Sequence, residues 1–193
     1  MYTKYTGIIL KKHPFGEADE LLTIFTREAG KMRCKVVSAR KPTSKLAGHL
    51  QSLNEIEFEV ALRARHNPSG GGSLPVLISA RALSINNYLR QNLRKFAFAL
   101  VGIETLYRLT GDRQENPAAY SELRSFLRGL GESPDENLQV RKFQLNLLAA
   151  TGYAFPGTVS AKFTAAAERE IDKFIDYVLE REIKSAKMLD TLI

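Results

Sequence analysis

Up to about residue 85 the apolar side chains recur at every second position, and beyond it at every third or fourth. A period of two belongs to a strand, whose alternate side chains share a face, and a period near 3.6 belongs to a helix. The character of the chain therefore changes near residue 85, with strands expected before it and helices after it. At 193 residues there is material for two small cores. The pattern predicts an α+β chain, with a β-barrel domain over residues 1–84 followed by an all-helical domain over residues 85–193.

Five strands are expected in the first part. They run at about Lys4–Lys12, Leu21–Arg27, Lys31–Ala39, Ile56–Leu62 and Pro75–Leu83, with turns at Pro14-Phe15-Gly16-Glu17 and Glu28-Ala29-Gly30. Ser44–Leu50 reads as a short helix or an ordered loop, and Asn67–Ser73 is too rich in glycine for regular structure. In the fourth strand Ile56, Phe58, Val60 and Leu62 face inward, which puts Glu55, Glu57, Glu59 and Arg63 on the wet face. Five short strands with an insertion after the third fit a small closed barrel of the OB type, an architecture that often holds single-stranded nucleic acid.

The second part predicts a helix from about Ile85 to Leu109, on a stripe of Leu89, Leu93, Phe96, Leu100, Ile103 and Tyr107. Asn116-Pro117 opens another as N-cap and first-turn proline. Ser133-Pro134-Asp135-Glu136 reads as a capping box, starting a helix that stops at Gly152. A last helix is expected over about Ala165–Glu182.

Charge points to a partner. The formal net charge is +7, and residues 1–80 hold 12 Lys and Arg against 7 Asp and Glu, while residues 81–193 hold 16 against 14. The positive excess therefore sits on the β part, a distribution that favours a polyanion. It is densest in the third strand and the loop after it. Lys31, Arg33 and Lys35 share one strand face, Met32, Cys34 and Val36 the other, and the loop adds Arg40, Lys41 and Lys45. The residues alone leave two readings open, a solvated face or a track for phosphates. Phe15, Tyr2 and Tyr5 are candidates to stack bases, while the alternation around Phe25 suits the core.

Catalysis has no visible residues. The three histidines, His13, His49 and His66, lie at a turn, in the basic segment and at the glycine-rich loop, and no nucleophile elbow, phosphate-binding loop or dinucleotide fingerprint occurs. Cys34 is the one cysteine, expected as a buried thiol; no thiolate zinc cluster or intrachain disulfide can form. No cofactor is expected. No apolar run is long enough to span a membrane and no signal-peptide pattern opens the chain, so a soluble cytoplasmic protein is expected.

Three blocks carry a resemblance. Thr6-Gly7-Ile8-Ile9-Leu10, then Phe15-Gly16-Glu17-Ala18-Asp19 with Leu22-Thr23-Ile24-Phe25-Thr26-Arg27-Glu28-Ala29-Gly30-Lys31, then Ala39-Arg40-Lys41-Pro42-Thr43-Ser44-Lys45-Leu46-Ala47-Gly48-His49-Leu50-Gln51 match in order and spacing. Together they resemble the N-terminal domain of the RecO family of bacterial recombination mediators. Leu148-Ala149-Ala150-Thr151-Gly152-Tyr153 and Ile183-Lys184-Ser185 look like that family's C-terminal part, more loosely. The resemblance implies an OB-fold, a helical domain and no catalytic activity. It implies binding of single- and double-stranded DNA, annealing of complementary strands, and recombinase loading at gaps with RecR and single-stranded DNA-binding protein, in a nucleoid-associated protein.

Two departures stand out. Ser38 occupies a position where the family usually has glycine, and Gly152-Tyr153-Ala154-Phe155-Pro156 is followed by no cysteine, so the zinc motif of many members does not carry over. The chain is also shorter than usual members, a difference expected to fall in the C-terminal domain. The DNA track is expected on Lys31, Arg33, Lys35, Arg40, Lys41 and Lys45. The acidic, apolar-ended tail of single-stranded DNA-binding protein calls for cations beside an apolar groove, and Arg90, Arg94, Arg141 and Lys142 beside the Phe96 and Phe143 stripes are the candidates. An OB-type RNA binder and a non-catalytic protein scaffold are the rival readings.

Overall fold

The computed structural model describes residues 2–62, 74–157, 164–180 and 185. The glycine-rich loop with His66, Arg63, and the end of the last expected helix lie outside the described residues. Two compact units emerge, one of Met1–Asn86 with Asp112–Glu115, the other of Asn87–Gly111 with Asn116–Ile193.

The first unit is a five-stranded barrel. Its strands are β1 (Tyr2–Phe15), β2 (Asp19–Thr26), β3 (Gly30–Val36), β4 (Glu55–Ala61) and β5 (Val76–Ser84), closed in the order β1-β2-β3-β5-β4. Strand β1 is longer than its hydrophobic pattern suggests, because it serves two neighbours. Residues 2–8 pair with β4 and residues 7–15 pair with β2, both antiparallel. A register shift between Ile9 and Lys11 bends the strand between the two tasks, as a bulge does. Closure is completed by a parallel pairing of β3 with β5 that covers only Lys35↔Val76 and Val36↔Leu77.

Alternation fills the barrel as the sequence predicts. Ile9, Leu22, Ile24, Met32, Cys34, Val36, Ile56, Phe58, Val60 and Leu77 form one cluster, joined by Ala39 and Leu50 from the β3–β4 connection. Each fully buried side chain of this size is worth about 1.5–3 kcal/mol. Cys34 is fully buried, and desolvation pushes its thiol up to about 12, so it packs as a small apolar group. On the outer face Glu57 sits between Lys4 (3.0 Å) and Arg81 (3.3 Å), which hold its carboxyl below the usual range. Glu55 departs from the expected exposure. It keeps the face of Glu57, opposite Ile8 of β1, but both it and Ile8 are buried there.

The second unit is helical: α1 (Asn87–Gln91), α2 (Leu93–Leu109), α3 (Pro117–Glu132), α4 (Glu136–Ala150) and α5 (Ala165–Leu179). The long helix expected from Ile85 is broken at Asn92, whose side chain accepts the Lys95 N–H and so starts α2 afresh. Asn116 caps α3 as expected, with Pro117 in the first turn. The capping box at Ser133 is corrected. Ser133 ends α3, its N–H donating to the Gly129 carbonyl, and Asp135 is the N-cap of α4, accepting from the Leu138 N–H at 2.9 Å. Two caps separated by Pro134 make a tight α3–α4 corner.

The helices meet through aromatic packing. Phe126 of α3 stacks on Phe143 of α4 with centroids 4.5 Å apart. Gly102 of α2 makes room, since a Cβ there would lie 2.3 Å from the Phe126 ring. Asn116 does two jobs, accepting the Ala119 N–H and donating to the Ala150 carbonyl at 2.9 Å, so it ties the start of α3 to the end of α4. Asn116→Ala should cost about 1–2 kcal/mol in urea denaturation, and Asn116→Asp should recover the capping part of that loss only.

Candidate nucleic-acid interface

The expected track begins in β3, and the structure divides its three cations. Lys31 is buried, with its side chain 7% exposed, and its ammonium lies 3.4 Å from Asp112. That corrects the expectation of one exposed face. The cause is the strap Asp112–Glu115, which lies along the β3 edge left uncovered by the short β3–β5 pairing. Arg113 N–H donates to the Lys31 carbonyl at 2.8 Å, and Lys31 bridges Asp112 in parallel. Gly30, at φ +65°, lets the strap approach, since a Cβ there would sit 1.8 Å from the Gln114 carbonyl oxygen. A buried ammonium needs such a partner, because an unpaired one pays the full desolvation penalty.

Arg33 is exposed on β3. Lys35 is half-buried, and its ammonium meets Asp19 at 2.7 Å and the Phe15 ring at 5.1 Å from the centroid. It is thus a link between β3 and the β1–β2 turn.

Asp19 is the residue that sequence reasoning missed. One carboxylate oxygen takes Lys35, and the other accepts the Ser38 N–H at 2.7 Å. The hydrogen bond from Lys35, then that from Ser38, holds the Asp19 carboxyl below its ordinary value of 3.8. Next to it the Arg40 N–H donates to the Ala18 carbonyl at 2.9 Å, and the Arg40 guanidinium donates to the Glu17 carbonyl at 3.2 Å. The start of the basic loop is therefore fastened to the β1–β2 turn. Its signal in the sequence was an aspartate opening a strand directly after a glycine turn.

The far end of the loop is fastened differently. Leu50 is fully buried in the barrel core, Leu46 packs against that core, and the Leu50 N–H donates to the Leu46 carbonyl at 3.1 Å. Ser44–Leu50 is thus a run of turns anchored by two leucines one helical turn apart. His49 Nδ1 accepts the Ala82 N–H at 3.4 Å, tying the loop to β5. Between the anchors Arg40, Lys41 and Lys45 are exposed. Ser38 adopts φ +55°, a left-handed conformation that costs a non-glycine residue about 1 kcal/mol.

Of the aromatics considered for stacking, Phe25 is fully buried and Tyr5 packs on Phe58 at 5.8 Å. Phe15 and Tyr2 are exposed.

The cations expected to receive a peptide tail are differently placed. Arg90 is half-buried, and desolvation lowers its guanidinium from the ordinary value. Arg94 donates to Glu136 at 3.2 Å and lies over the Phe98 ring. Arg141 makes a two-pronged pair with Asp172 of α5 and also donates to Gln144. Lys142 is exposed. The two carboxylates already neutralise Arg94 and Arg141, which weakens the case for an anionic ligand there. Among the described residues no helix is long and apolar enough to cross a membrane, and no group of three or more His, Cys, Asp or Glu could hold a metal ion.

Comparison with known proteins agrees with the order of these units. Residues 1–69 match the family model for the recombination protein O N terminal, and residues 90–162 match that for the recombination protein O C terminal. This chain belongs to the RecO family. It is 31% identical over 150 residues to the DNA repair protein RecO of Dehalococcoides mccartyi, covering 78% of this chain and 56% of that protein. It is 34% identical over 148 residues to RecO of Moorella thermoacetica, covering 77% and 52%. RecO of Roseiflexus is 32% identical over 147 residues, covering 76% and 49%. The chain thus spans about half the length of the RecO proteins it matches.

Two outcomes test the loop anchor. Because the folded-state value of Asp19 is depressed, its contacts are complete above pH 3.8 and are lost as pH falls through that lower value. The Ser38 amide proton should titrate in NMR with a midpoint below 3.8, and Asp19→Asn should abolish that titration. Ser38→Gly should shift stability by less than about 1 kcal/mol in urea denaturation, because relief of the left-handed strain is offset by the added entropy of the unfolded chain.

Proposed function

We propose that the chain is a non-catalytic DNA-binding mediator of recombinational repair that holds single and double strands by their backbones. The observation that carries this reading is the basic loop. It presents Arg40, Lys41 and Lys45 to solvent while Asp19 fixes one end and Leu46 and Leu50 fix the other. Cations on an anchored loop lose little conformational freedom on meeting an anionic backbone. Arg33 extends the track along β3, and Lys35 serves it by holding the loop. Lys31, buried against Asp112, contributes to the field only. Arginine suits two-pronged phosphate contacts and lysine a mobile point charge.

Backbone binding suits annealing. A protein that reads phosphates accepts any sequence and leaves base edges open to pair, and neutralising two strands at once lowers their mutual repulsion. Membership of a family whose matched relatives are named DNA repair proteins favours DNA over RNA as the strand bound. By the same membership, single-stranded DNA-binding protein and RecR are the proposed partners in recombinase loading. Of the four cations considered for the peptide tail, Arg94 and Lys142 are exposed, and Arg94 is paired with Glu136.

Charge reversal tests the assignment. Arg40→Glu with Lys41→Glu should weaken binding to any DNA sequence and lower the slope of log affinity against log salt by about two units. Unchanged affinity and slope would sink the reading. An annealing assay with complementary oligonucleotides coated by single-stranded DNA-binding protein tests strand handling and partner recognition together, and tighter binding to RNA of the same sequence would favour the RNA reading.

A further inference from the structure

We infer that Phe15 is a stacking platform for an unpaired base, which gives the basic loop its preference for single strands. The inference rests on the reading of that loop as a DNA track, and adds a ligand class, the exposed nucleobase.

Phe15 is the last residue of β1 and pairs with Asp19 across the hairpin. The residue is 42% exposed, whereas Phe25 and Phe58 of the same unit are fully or almost fully buried. Burial would recover about 1.5–3 kcal/mol for such a ring, so packing alone does not account for a phenylalanine at this tip. Nor is the ring loose. The Lys35 ammonium lies 5.1 Å from its centroid while Asp19 holds that ammonium at 2.7 Å. A cation over the ring restrains it at little entropic cost, since phenylalanine has only two side-chain torsions.

The surroundings are those a nucleotide needs. The turn that follows Phe15 carries the carbonyls of Glu17 and Ala18, and both accept from Arg40. Arg40 and Lys41 are exposed immediately beyond. Phosphate-binding cations and an aromatic face therefore belong to one corner of the barrel unit, formed by the β1–β2 turn and the start of the loop after β3. A base inside a duplex has both faces covered by its neighbours and cannot reach the ring. An unpaired base can, and because every base has a π-face the contact carries no sequence preference.

The experiment compares Phe15→Leu, Phe15→Ala and Phe15→Trp for binding to an oligodeoxythymidylate and to a mixed-sequence duplex of equal length, with Arg40→Glu/Lys41→Glu alongside. Leucine keeps the apolar bulk and removes the π-face. Phe15→Leu and Phe15→Ala should weaken single-strand binding about tenfold and change duplex binding by less than about twofold. Phe15→Trp should bind the single strand as tightly as the parent or tighter. The salt slope should stay unchanged in all three, since no phosphate contact is lost. Parent-like single-strand affinity in Phe15→Leu overturns the inference, and so do equal losses on single strand and duplex, which would make Phe15 a support for the loop. If the charge reversal alone abolishes binding, the DNA track stands without the platform. If it changes nothing, the track itself falls.

Discussion

The barrel depends on one strand doing the work of two. Strand β1 must pair with β4 along its first half and with β2 along its second, and a strand with two partners on different sides of a closed sheet has to bend. The shift at Ile9–Lys11 supplies that bend. Closure then falls to β3 and β5, which meet over two residue pairs only. So short a seam leaves edge on both strands, and the Asp112–Glu115 strap and the β3–β4 connection both meet that edge.

Two coverings deal with that edge. The strap Asp112–Glu115 lies on the start of β3 and takes Lys31 out of solvent. The β3–β4 connection runs along β5, with His49 accepting the Ala82 N–H and Leu50 filling the core. The basic loop is therefore part of the closure of the barrel, and that is why its cations are held rather than trailing. An exposed, unpaired sheet edge invites association with other chains; here the basic loop meets that edge through His49. The conformational cost at Ser38 belongs to the same arrangement, because the chain must turn sharply to leave β3 and still give its N–H to Asp19.

The basic face shows how far patterning reaches. Its strand residues obey the period of two, with Met32, Cys34 and Val36 inside. Yet Lys31, Arg33 and Lys35 meet three different fates, a buried ion pair, an exposed position and a clamp to Asp19. Periodicity assigns a side chain to a face but says nothing of what lies on that face. Asp112 stands far along the chain, so its contact with Lys31 is a matter of tertiary placement. Asp19 is nearer, but its role needs the β1–β2 turn and the loop after β3 to be side by side. The helical unit repeats the lesson in the caps. Asn116-Pro117 is legible because capping is local, whereas Ser133, read as the cap that opens α4, is taken up by the end of α3 and leaves that role to Asp135.

The sequence by itself determined the two-part architecture, the inward face of each strand and the concentration of positive charge near residues 31–45, because these follow from local spacing and composition. Its ordered blocks also pointed to the RecO family. Only the tertiary structure decided which cations remain outside, since each fate depends on a partner from another part of the chain. It also decided that Phe15 stands exposed beside Lys35 and the loop, a placement that the folding of the hairpin against β3 creates.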